Sequence, residues 1–299
     1  MAPIAPETWP PLRLADWSDT YGTLHLWMQT LGKVRLALAP RVNHWWEVPF
    51  YLTSRGLTTS PVPYLGASFE MRLDFFDHQL TIEASSGTRR TIALEPQTVA
   101  AFYARVMQAL RELGINVRIW PMSVEMPSPV RLDRDTAHGS YDPAAVHRWW
   151  QVMLQADNVL KEFRARFIGK ASPVHFFWGG FDLAATRFSG RRAPERPGAD
   201  SITREGYSHE VSSTGFWPGG SGVDDAAFYA YASPEPPGFK DAPVRPAAAS
   251  YHTGLGEFIL MYEDVRTAPS PREVLLQFLQ STYEAAANFG KWNRIELER

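Results

Sequence analysis

The sequence predicts an α+β protein of two similar halves, each an antiparallel sheet with helices packed on one face. Three observations predict it. Phe69, Met71, Leu73 and Phe75 alternate with Glu70, Arg72 and Asp74, the period of a half-buried strand. Leu24, Trp27, Leu31, Val34 and Leu38 recur at helical spacing, as do Val99, Phe102, Val106 and Leu110. The third is a repeated order of helix, strand, further strands and helix, in which the residues echo one another. His25-Leu26-Trp27-Met28-Gln29 matches His147-Arg148-Trp149-Trp150-Gln151. His44-Trp45-Trp46, followed by Leu52 and Arg55, is echoed by His175-Phe176-Phe177, followed by Leu183 and Arg187. Val99, Phe102 and Gly114 are spaced as Leu275, Phe278 and Gly290 are, so an internal duplication is expected.

Taken in order, residues 1–18 are an irregular, proline-rich lead-in with Trp9 and Trp17 as anchors. The N-terminal half covers 19–121. It opens with a helix over 20–38, ended by Ala39-Pro40. A strand follows over 44–53, which Pro49 demotes to an edge or a bulge. Two alternating strands come next, then a hairpin through Ser85-Ser86-Gly87. A helix runs from Pro96 to Leu113, and a short strand covers 115–120. A linker over 122–141 precedes the C-terminal half, 142–299. There Asp142 and Pro143 open a long helix with Val146, Trp149, Trp150, Met153 and Leu160 inward. Ser172–Pro194 is an apolar strand bulged at Gly179-Gly180, and 190–224 is a long loop folded over the sheet. Strands are expected over 226–232 and 257–262. The capping box Ser270-Pro271-Arg272-Glu273 starts the last helix.

With 44% hydrophobic and 21% charged residues, the chain is a globular protein. A net charge of −2 argues against a general nucleic-acid or anionic-membrane partner. No cysteine is present, which excludes a thiolate nucleophile, a cysteine-ligated metal and any disulfide. The start of the chain lacks a basic region followed by an apolar run, and no segment is apolar enough to span a bilayer. No membrane partner is expected, and the cytoplasm is the expected compartment.

The candidate site residues are polar groups among aromatics. His175 and Asp182 sit in SPVHFFWGGFDLAATRFSGRRAP, where an unpaired polar group costs about 1–3 kcal/mol. His175, Asp182 and the pair His209-Glu210 are the expected acid–base groups, with His252 and Glu257 as further candidates. Imidazole and carboxylate also ligate zinc, iron or manganese, so a divalent metal on these residues is an alternative to metal-free chemistry. Arg187, Arg191 and Arg192 would hold an anionic group, with Arg55 as the echo of Arg187. Arg196 and Arg204 complete the arginine cluster. His44, Trp46, Trp178, Trp217 and His252 would line the substrate and exclude water. The glycine-rich Gly215–Gly222 lacks the lysine of a phosphate loop, and no established catalytic signature is present.

The segments NHWWEVPFYLTSRGLTTSPVPY, SPVHFFWGGFDLAATRFSGRRAP and SHEVSSTGFWPGG together resemble a bacterial family of proteins of this length known only as a domain of unknown function. The resemblance covers nearly the whole chain and implies one unit, with no activity attached. The reading is therefore an enzyme acting on a small anionic molecule. The alternatives are a non-catalytic small-molecule-binding protein and a partner-binding protein with an aromatic patch.

Overall fold

The computed structural model describes residues 8–220 and 222–299; the first seven residues of the expected lead-in and Ser221 of the glycine-rich segment lie outside the described residues. It is a mixed α+β structure with two antiparallel sheets of six strands each. Backbone packing divides the chain into two units, one of residues 15–150 and 175–182, the other of 1–14, 151–174 and 183–299.

The first unit is organised around α1 (Ser18–Leu38). Its apolar stripe is the expected one, but the helix is buried on every side from Thr23 to Arg35, polar residues included. After it the expected strand over 44–53 is replaced by a turn. His44 and Trp45 both take left-handed φ of 61°, which ends extended structure, and only β1 (Tyr51–Leu52) remains. The strands β2 (Gly56–Thr58), β3 (Val62–Tyr64), β4 (Ala67–Asp74), β5 (Gln79–Ala84) and β6 (Arg89–Ala93) follow. They pair in the order β1-β2-β4-β5-β6, with β3 also on β4. The alternation read from the sequence fixes the register: Met71 faces Ile82 and Leu73 faces Leu80, all buried. Helix α2 (Val99–Glu112) starts three residues later than expected, because Thr98 caps it by accepting from the Ala101 N–H at 3.1 Å. Its Phe102 stacks on Trp27 of α1, ring centroids 4.6 Å apart. The strand expected over 115–120 does not form, and Trp120 is 66% exposed.

Helix α3 (Pro143–Ala165) begins at the expected cap, Asp142 accepting from the N–H groups of Ala144 and Ala145. The apolar run after it is a hairpin, not one bulged strand: β7 (His175–Phe177), a turn, and β8 (Asp182–Arg192). Gly179 lets the turn approach Glu125 closely: a Cβ there would lie 2.2 Å from Glu125 Oε1, so a larger residue would push that side chain aside. Phe181 completes it with φ 58°.

In the second unit the expected loop over 190–224 contains the short α4 (Ser201–Gly206) and β9 (His209–Trp217), a strand the sequence conceals behind Ser212, Ser213 and Thr214. Strands β10 (Ala227–Ser233) and β12 (Glu257–Met261) lie within one residue of the expected ones, and β11 (Ser250–His252), which was not expected, pairs with β12. The sheet runs β11-β12-β10-β9-β8-β7. Helices α5 (Tyr262–Arg266), α6 (Pro271–Phe289) and α7 (Arg294–Leu297) end the chain. Ser270 makes no side-chain cap, so the expected capping box is not formed. Leu275, Phe278, Leu279 and Tyr283 of α6 are buried, and its N-terminal Pro271 supplies the fixed φ of a first turn. Trp9 packs on Tyr262, whose hydroxyl donates to the Pro10 carbonyl at 2.7 Å, so the lead-in is anchored as its tryptophan suggests.

Both sheets are meanders entered from a long helix and left into another. Setting aside β3 and β11, each of which adds to one sheet alone, the strand orders correspond, which is consistent with two similar halves.

Candidate functional site

In the first unit the turn Asn43–Trp45 and the hairpin strand β7 bring His44, Trp46 and His175 together. The Trp46 ring lies 5.2 Å from His44 and 5.7 Å from His175, centroid to centroid. Tyr51 and Phe177 close around His175 at 5.6 and 5.4 Å. The imidazole is 1% exposed beneath three half-buried rings. Two charged residues that sequence reading missed complete the group. Arg35 donates from Nε to the Glu47 carbonyl at 2.5 Å and lies 5.7 Å over the Tyr51 ring. The Glu47 carboxylate accepts from the Val42 N–H at 3.1 Å, which helps hold the left-handed turn. Burial lowers the Arg35 pKa, with Tyr51 and Glu47 opposing it.

The other residues expected here lie elsewhere in the unit. Trp178 donates from Nε1 to the Val48 carbonyl at 3.0 Å. Asp182 stands near Tyr21, whose phenol burial and that carboxylate together push up to about 12. Arg55 is a surface residue held by Asp74 and Asp77. An open groove of about 470 Å3, lined by Asp16, Trp17, Asp19, Tyr141 and Asp142 among others, contains none of the expected site residues.

In the second unit the expected residues separate into structural and chemical groups. Arg187 is 2% exposed; its guanidinium lies 3.5 Å from the Phe163 ring centroid and 4.2 Å from that of Tyr283, and it donates to the Phe163 carbonyl. Burial pushes its pKa down to about 10. It clamps aromatics and does not reach a loop. Arg191 is bound to Glu210 at 2.6 Å and to the carbonyls of Gly290 and Lys291, so Glu210 serves an ion pair. His209 is the register partner of Arg192. Burial lowers its pKa, with the positive charges of Lys170 and Arg192 adding to the effect. Trp217 packs against a small apolar cluster of Val223, Ala227, Tyr229 and Ile259.

His252 behaves differently. It is paired in register with Glu257 across β11 and β12. The β10–β12 ladder pairs Ala230 with Phe258, so one further step sets Tyr231 opposite Glu257. Tyr231 pairs with Ser213, and Ser213 with Thr186. Five polar side chains, Thr186, Ser213, Tyr231, Glu257 and His252, therefore form one row across five strands, on one face. The Thr186 and Ser213 hydroxyls are 2.8 Å apart, and the Tyr231 hydroxyl is 3.0 Å from that of Tyr207. Burial raises the Tyr231 phenol well above its ordinary value, and the charge of Glu257 adds to this. Arg196 lies 4.5 Å over the Tyr207 ring and donates to Ser233 Oγ at 2.5 Å. His209 is three strand spacings from β11, about 14 Å, and does not join the pair. Alternation within Tyr229-Ala230-Tyr231 and the polar run Ser212-Ser213-Thr214 were the signals available in the sequence.

Among the described residues no three histidine or acidic side chains come together as metal ligands. No helix among them is long and apolar enough to cross a membrane.

The fold and these two polar groupings define an α+β protein with paired antiparallel meanders. The chain belongs to DUF5996, a family of unknown function whose model matches residues 9–299. No curated protein and no solved structure matches it.

Proposed function

We propose that the protein is an enzyme performing acid–base chemistry on a small anionic molecule at the row Thr186–Ser213–Tyr231–Glu257–His252. The observation that carries this reading is the register pairing of His252 with Glu257, continued into hydrogen-bonded hydroxyls. An imidazole beside a carboxylate is the usual acid–base couple near neutral pH. Tyr231, held protonated, serves as a hydrogen-bond donor beside Glu257. Arg196 supplies the anion contact; its fork has five N–H donors and Ser233 takes one.

A second reading, a non-catalytic binding protein, is favoured by His175 lying buried beneath the rings of Trp46, Tyr51 and Phe177. One experiment separates the two. Saturation-transfer NMR on a mixture of small carboxylates and phosphate monoesters identifies a bound compound, and its turnover is then followed. The enzyme reading expects Arg196→Met to weaken binding about tenfold or more. Glu257→Gln should leave binding nearly intact and reduce turnover about 10²–10⁴-fold. Binding that is indifferent to both changes and lost in His175→Gln establishes the second reading. Failure of every carboxylate and phosphate to bind overturns the anionic substrate.

A further inference from the structure

Helix α1 presents Tyr21, His25, Gln29 and Lys33 at four-residue intervals, a polar stripe along one line of a helix buried on every side from Thr23 to Arg35. Three of the four have evident structural partners. Tyr21 packs edge-on against Phe181, His25 holds the Gly179 carbonyl, and Gln29 makes paired hydrogen bonds with the Val124 backbone. Lys33 does not fit that pattern. Its residue is 5% exposed, and among the described residues its amine makes no hydrogen bond or ion pair. The ammonium position is enclosed by two indoles, with Nζ 5.2 Å from the Trp120 centroid and 5.9 Å from that of Trp178. The enclosure is built. Trp178 lies flat against α1 where Gly32 leaves room, and its Nε1 is pinned to Val48. Trp120, by contrast, is 66% exposed and forms the outer wall.

We propose that Lys33 is a nucleophilic amine that captures small aldehydes or ketones as an imine between the two indole rings. An amine confined in an apolar enclosure is the arrangement that favours its neutral, nucleophilic form. Burial lowers the Lys33 pKa and outweighs the opposing charge of Glu125, while the ring faces favour the cation. In the step, the nitrogen lone pair forms the C–N bond and the carbonyl π pair moves to oxygen, which takes a proton released from nitrogen. The hydroxyl then leaves with a second proton as water, giving the C=N bond. No oxidant or reductant is needed. The flat, apolar walls select a compact carbonyl compound over a long or charged one. This site lies in the first unit and is independent of the row bearing His252.

Of the four other lysines, Lys161, Lys240 and Lys291 are exposed and serve as internal standards; Lys170 is set aside because burial lowers its pKa as well. The full-length protein is treated at neutral pH with propionaldehyde and sodium cyanoborohydride, which traps an imine as a propyl-lysine, and the peptides are mapped by mass spectrometry over time. The expected result is that Lys33 is propylated about tenfold faster or more than each of these three, because the neutral amine is the reacting form. Its advantage should shrink in strongly alkaline buffer, where every amine is neutral. Labelling of Lys33 no faster than the exposed lysines, or none at all, overturns the proposal. Neither outcome bears on binding at Arg196 or His175, so the two readings fail separately.

Discussion

His25 shows how much one buried imidazole can fix. A carbonyl only accepts, so the 2.8 Å contact with Gly179 places the proton on Nε2, and Gln29, 3.2 Å from that nitrogen, turns its own N–H to Val124 instead. Burial lowers the pKa of His25 below 6.5, against the pull of the Gly179 and Trp178 carbonyls. Between that lowered value and 6.5 the unfolded chain binds more protons than the folded one, so stability falls as pH drops through this window. His25→Gln keeps an N–H for Gly179 and removes the titration. Urea midpoints measured through mildly acid pH should then fall less steeply than in the wild type. At this scale the sequence was legible for identity and much less so for setting. His44, Trp46 and His175 each stood out as polar or indole groups among aromatics, but the sequence did not show that these three meet. Arg35 and Lys33 did not stand out, because a charged residue in a helical pattern reads as the solvated face, and α1 is buried on every side from Thr23 to Arg35.

Elements were legible where one periodicity dominated. The β4–β5 alternation, the α2 stripe and the Asp142 cap are all local signals, and each gave its element. Two of the failures have specific causes. β9 carries Ser212, Ser213 and Thr214 because its hydroxyls bond neighbouring strands, so the hydrophobic pattern that announces a strand is missing. The hairpin at 175–182 reads as one strand because its turn residues Trp178 and Phe181 are as apolar as the strands it joins. Packing between this hairpin and α1 is tight enough to test. A Cβ on Gly32 would fall 2.2 Å from the Trp178 indole. In an isolated helix Gly32→Ala would stabilise by about 1 kcal/mol. Here it should destabilise by about 1–3 kcal/mol, because Trp178 must leave its position or α1 must shift. Chemical denaturation of the variant, with Trp178 fluorescence followed alongside, measures both.

On the scale of the whole molecule, the repeated order of elements was readable from the sequence, and the corresponding meanders are consistent with it. The division into compact units does not follow that repeat. The first unit takes residues 15–150 and then 175–182, so its chain is not continuous. Phe50 and Phe176 exchange both backbone hydrogen bonds at 2.9 Å, and Trp178 and Gly179 hold Val48 and His25. A fragment ending at residue 150 loses all of these and exposes α1. It should bind a hydrophobic dye and show no cooperative thermal transition, whereas near-ultraviolet circular dichroism of the intact chain should show fixed tryptophans. A fragment with a sharp transition like that of the full chain would show that the hairpin is dispensable.

The late arrival of that hairpin matters during synthesis. Residues 15–150 are synthesised before His175–Asp182, and at about 5–20 residues per second the gap lasts roughly a few seconds. Throughout it, the lysine and histidine of α1 stand in water without Trp178 and Gly179 above them. The nascent first unit must therefore wait, open along one helix, for a segment encoded in the other half of the gene.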